Sequence, residues 1–126
     1  PGHSSAASDV YKRQTDSELI FLLMLHNGLC EQPVEAIRKT IIDISQMMKS
    51  KDIEEPLKAS ICISDGEQFW AVRYSSDDDA PTVFIRQEGA NIALASEPLE
   101  KSSGWKAVLP QSILEIKGDA VTSYAI

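Results

Sequence analysis

The chain has 126 residues, 43% of them hydrophobic and 25% charged, which is the composition of one globular domain and not of a repeat array or a low-complexity tail. Its longest apolar run, Leu19 to Leu25, is seven residues, far short of the roughly 20 that a membrane-spanning helix needs. Twelve basic against nineteen acidic side chains leave a net charge of −7, a field that repels nucleic-acid backbones and anionic lipid, so neither is an expected partner.

Residues 1–14, PGHSSAASDVYKRQ, carry no apolar periodicity and are expected to have no fold. Ser4 to Gln14 resembles the in-frame translation of a transposase-based sequencing adapter, whose end, GAT GTG TAT AAG AGA CAG, encodes Asp9-Val10-Tyr11-Lys12-Arg13-Gln14. The segment is therefore expected to be non-native and is set apart from fold reasoning, as a tag would be. On that reading the native chain is interrupted just before Thr15, and an N-terminal stretch is missing.

Thr15-Asp16-Ser17-Glu18 has the form of a capping box, in which a hydroxyl and a carboxylate satisfy the free amides of a helix start. The helix body, Leu19 to His26, is apolar nearly all round and should be covered on most sides, with Asn27-Gly28 as its left-handed stop. Pro33 opens a second helix at a position where its missing N–H costs nothing. Val34, Ile37, Ile41, Ile44 and Met48 recur at spacings of three and four, so that helix is amphipathic and should lie over something flat.

Strands follow. Ala59 to Ser64 and Gln68 to Tyr74 flank Asp65-Gly66, a strong hairpin signal. Thr82 to Arg86 and Asn91 to Ser96 pair around Gly89; Trp105 to Leu109, Ser112 to Lys117 and Ala120 to Tyr124 are shorter strands, the last two joined at Gly118-Asp119. Helices followed by a run of strands predict an α+β fold with an antiparallel sheet and helices on one face.

Candidate chemistry is sparse. Asp16 stands at a helix start, where amide dipoles keep a carboxylate ionised, and it could bind a cation such as an α-ammonium group. From the local pattern alone a plain capping box is the stronger account. Cys30 and Cys62 have no His or second Cys at metal or catalytic spacing and read as free, buried thiols in a reducing compartment, with the cytoplasm as default location. His26 reads as a hydrogen-bonded capping side chain, Asp77-Asp78-Asp79 as a solvated turn lacking the spacing of a calcium loop, and Trp70, Tyr74 and Phe84 as strand-face packing. No metal or cofactor is expected.

Thr15-Asp16-Ser17-Glu18 opening a helix, Ser64-Asp65-Gly66 before an aromatic strand, Arg73-Tyr74, Ala95-Ser96-Glu97-Pro98-Leu99, Trp105 and the closing Ile113-Leu114-Glu115-Ile116-Lys117-Gly118 together resemble the C-terminal half of a class II glutamine amidotransferase domain. The resemblance covers essentially all of residues 15–126, and order and spacing carry it more than any one motif. It implies a portion of a four-layer αββα N-terminal-nucleophile hydrolase sandwich. It also implies an activity: an N-terminal cysteine, with its own amine as base, attacks the side-chain amide of glutamine or a γ-glutamyl compound. In that family the cysteine, a substrate-binding arginine and an Asn-Gly oxyanion hole lie upstream of the TDSE-type motif, so this chain is expected to contain no catalytic residue and to be inactive by itself. Asp16 alone carries over, as the group that binds the α-ammonium of the substrate. Ser96, Glu97 and Trp105 match family positions without an assigned role. A non-catalytic α+β binding or structural module is the alternative, and the number of subunits is left open.

Overall fold

The computed structural model describes residues 17–98 and 104–126. Residues 1–16, and with them Thr15, Asp16 and the adapter-like segment, lie outside the described residues, as does Leu99. The described chain is two helices followed by antiparallel strands, an α+β fold as expected. It divides into two compact units, one ending at Ile53 and one beginning at Glu54.

In the first unit, residues 17–26 form helix α1 and Pro33–Ser50 form α2, with proline in the first turn as its fixed φ favours. Both helices end in the same way. At α1, Gly28 (φ +98°) is followed by Leu29, whose N–H reaches back to the carbonyl of Met24 (3.0 Å) while Gly28 N–H bonds Leu25 (3.2 Å). At α2, Asp52 (φ +54°) N–H bonds Lys49 (3.1 Å) and Ile53 N–H bonds Met48 (2.9 Å). This pair of backward bonds is the Schellman closure, which satisfies carbonyls that the helix leaves open. The α1 end is tied to α2 by Asn27, whose Nδ2 donates to Thr40 Oγ1 (3.0 Å) and Asp43 Oδ2 (3.2 Å). Thr40 in turn donates to the Ala36 carbonyl (2.8 Å). The buried stripe of α2 is Ala36, Ile37, Thr40 and Ile41, with Val34, Ile44 and Met48 half-buried beside it.

Helix α1 departs from expectation. Of its apolar residues only Met24 is fully buried, while Leu19, Phe21, Leu22 and Leu25 are 39–54% exposed. An apolar sequence states what a helix would bury; a cover has to be supplied by other elements, and α1 has that cover on one side only.

In the second unit the described residues form seven antiparallel strands in two sheets. Sheet A has the order β1 (Lys58–Ser64), β2 (Gln68–Ser75), β6 (Ser112–Lys117), β7 (Ala120–Ala125). Sheet B has the order β4 (Asn91–Ala95), β3 (Phe84–Glu88), β5 (Trp105–Ala107). Strand β3 starts two residues later than predicted, after Thr82 and Val83. The β1–β2 register places Ser64 opposite Phe69, and the intervening turn has Gly66 at φ +96°, while the Asp65 carboxylate accepts from the N–H groups of Glu67 (2.9 Å) and Gln68 (2.7 Å). Glycine in the first central position supplies the positive φ that lets the turn follow the strand twist.

Ala71 and Leu114 of sheet A form one buried cluster with Val83 and Val108, which flank β3 and β5, and Ile85 and Leu94 pack against it. The two sheets thus share a core. The other face of sheet A also carries buried side chains, Trp70, Val72 and Ile113. Trp70 Nε1 there donates to Glu115 Oε2 (3.0 Å), its direct cross-strand partner, and Tyr124 O–H reaches Glu115 Oε1 (3.4 Å). Pairing of this kind lets an aromatic edge and a carboxylate sit in a packed face without an orphaned polar atom.

Candidate functional site

The side chain on which the sequence reading depends, Asp16, lies outside the described residues. Ser17 and Glu18, which follow it, are exposed at the first described turn of α1. The far end of that helix is anchored by the Gly28 closure and by Asn27.

Each remaining candidate has a definite place. Cys30 and Cys62 are exposed, contrary to the expectation of buried thiols. Cys30 is in the connection between α1 and α2. Cys62 lies on β1, an edge strand of sheet A, opposite Ala71. Ala71 is in the shared core, but the three described strands of sheet B do not cover Cys62. Partial burial nevertheless pushes the Cys62 thiol upward in pKa, away from the thiolate a nucleophile needs. His26 is exposed at the end of α1, and no described residue accepts or donates a hydrogen bond at its ring, so the expected capping role is not formed.

Asp77-Asp78-Asp79 forms a turn tied to the start of β1. Ser75 Oγ donates to Asp77 Oδ1 (2.6 Å), Asp79 N–H donates to the same oxygen (2.9 Å), and Lys58 Nζ lies 3.1 Å from Asp79 and 3.7 Å from Asp77. The Ser75 hydroxyl above all, then the Asp79 amide, lowers the Asp77 pKa, and the hydrogen bond to Asp79 raises that of Lys58. Among the described residues no group of three or more His, Cys, Asp or Glu converges as a metal site would. No helix among them is long and apolar enough to cross a membrane.

Arg73, part of the motif series, uses each of its three guanidinium nitrogens within the fold. Its Nε donates to the Pro81 carbonyl (2.9 Å), one terminal nitrogen to the Val108 carbonyl and the other to Ala80 (3.3 Å). It ties β2 to the segments that lead into β3 and out of β5. Ser96 and Glu97 are exposed just past β4, where the Ser96 carbonyl accepts from Thr82 Oγ1 (2.7 Å). Trp105 stands opposite Arg86 across the β3–β5 pair, and the Trp105 indole N–H and Arg86 Nε are both closed off from solvent without a partner.

One cleft opens between the sheets. It encloses about 490 Å³, with Phe69, Cys62 and Ile116 of sheet A on one wall and Ile92 and Leu94 of β4 on the other. Glu67 is the charged group in its lining, which Asn91 also joins. A zwitterion such as free glutamine needs a cation for its carboxylate as well as an anion for its ammonium, and this lining supplies only the second. These walls bring together residues as far apart in sequence as Cys62 and Ile116, and no local pattern marks them.

No protein-family model matches the sequence, and no curated protein matches it. Among solved structures it is similar to one described as a glutamine aminotransferase class-II domain protein from Silicibacter pomeroyi. The two share 34% identity and superpose with a TM-score of 0.80, over 87% of this chain and 51% of that one. The chain thus spans about half the length of the structure it matches, and it has that structure's α+β arrangement of helices followed by antiparallel sheets.

Proposed function

We propose that this chain is the C-terminal half of a class II glutamine amidotransferase domain, of the N-terminal-nucleophile hydrolase type. The observation that carries the reading is the 34% identity, maintained over 87% of the chain with a TM-score of 0.80, to a protein described as a glutamine aminotransferase class-II domain protein. The motif order from Thr15-Asp16-Ser17-Glu18 to Lys117-Gly118 supports it independently.

The reaction divides between two halves of one domain. In the half upstream of Thr15, an N-terminal cysteine, deprotonated by its own amine, attacks the side-chain amide carbon of glutamine or a γ-glutamyl compound. An Asn-Gly pair receives the oxyanion, and an arginine holds the substrate carboxylate. The C–N bond breaks, the amine proton leaves with ammonia, and water hydrolyses the thioester to glutamate. The C-terminal half contributes Asp16, whose carboxylate grips the α-ammonium of the substrate. The thiol, amine and water supply the whole reaction, with no metal or cofactor. Cys30 and Cys62 are free, which suits a reducing cytoplasm. Neither replaces the nucleophile, since each lies inside the chain and has no α-amine to act as base.

The test is recovery of an uninterrupted copy of the locus followed by a glutamate-release assay. The expected frame begins Met-Cys, continues through an arginine and an Asn-Gly, and encodes a product that releases glutamate until its first cysteine is changed to alanine. The chain as given should release none. A complete short gene starting near Thr15, with no glutaminase activity, would overturn the reading in favour of a non-catalytic binding or structural module.

A further inference from the structure

No further inference is drawn: the strongest candidate, the apolar cleft between β1–β2 and the β3–β4 hairpin lined by Cys62, Phe69, Ile92, Leu94 and Ile116, is an unpartnered opening, and nothing in the structure shows what covers it.

Discussion

Asp16 precedes the first described turn of α1, and if the carboxylate there grips an ammonium group, its charge matters more than its size. Changing Asp16 to Asn in the intact enzyme keeps the shape and removes the charge. A hydrogen bond between charged partners is worth about 1.5–3 kcal/mol, so KM for glutamine should rise roughly ten- to a hundredfold while the melting temperature stays nearly unchanged. Steady-state kinetics beside a thermal melt reads both, and an unaltered KM would remove Asp16 from the site. Arg73 is the contrasting residue, a charge used for architecture. Arg73→Met would strip the donors from three carbonyls, those of Ala80, Pro81 and Val108, and should cost about 2–4 kcal/mol of stability, visible as a lower urea midpoint. The Lys58–Asp77–Asp79 group responds to pH in two directions. The Asp77 pKa is lowered in the folded state, so its contribution is fully present above the unfolded value of about 4 and is lost as pH falls below it. The Lys58 pKa is raised, so its contribution is present below 10.5 and is lost at higher pH. Because all three groups are exposed to water and salt, the effect is small. The acid limb of stability against pH should flatten in Asp77→Asn, measured by urea titration from pH 3 to pH 7.

At the level of elements, the two helices offer a paired experiment on one motif. Gly28 closes α1 at φ +98° and Asp52 closes α2 at φ +54°, and only the second carries a side chain in the left-handed region. Asp52→Gly relieves that strain and should stabilise the chain by about 0.5–1 kcal/mol. Gly66→Ala in the β1–β2 turn tests the opposite sign. A methyl group there meets nothing within 4 Å, so the whole cost, about 1 kcal/mol, is backbone strain at φ +96°. Equal midpoints for wild type and both variants would show that these turns relax by other routes. A third device closes the end of β2 with a side chain. Gln111 accepts from Ser75 N–H (2.8 Å) and donates to the Ser75 carbonyl, so its amide stands where a neighbouring strand's peptide would be.

For the whole molecule, the decisive quantity is apolar surface left in water. Leu19, Phe21, Leu22 and Leu25 of α1, together with Phe69 at the cleft, are more than a third exposed. A monomeric protein rarely presents such surface without a partner for it. Edge strands β1 and β7 of sheet A add unpaired backbone groups, a template for association between chains. Residues 15–126 expressed alone should therefore self-associate as concentration rises. Leu19→Lys with Leu22→Glu should suppress that association with little change in melting temperature, because neither side chain is buried. Sedimentation velocity over a tenfold concentration range checks it, and a monomeric wild type would show that these surfaces are tolerated in water as they stand.

Much of the local structure was legible in the sequence, since it depends on neighbours a few residues apart. Gly28 as a helix stop, Pro33 as a helix opening, the hairpin around Asp65-Gly66 and the bounds of β6 follow from backbone angles that only certain residues adopt at low cost. Ser64-Asp65-Gly66 and Arg73-Tyr74, as parts of an ordered series, also pointed to the α+β arrangement shared with the solved structure. Other features were decided only by the tertiary fold. Cys62 emerged on an open edge, α1 stayed half-bare and Arg73 became a clamp on distant carbonyls. In each case the outcome depends on which strand lies beside or above another, and that is a competition among contacts tens of residues apart. A sequence states how apolar a surface is, while only the folded chain determines whether anything covers it.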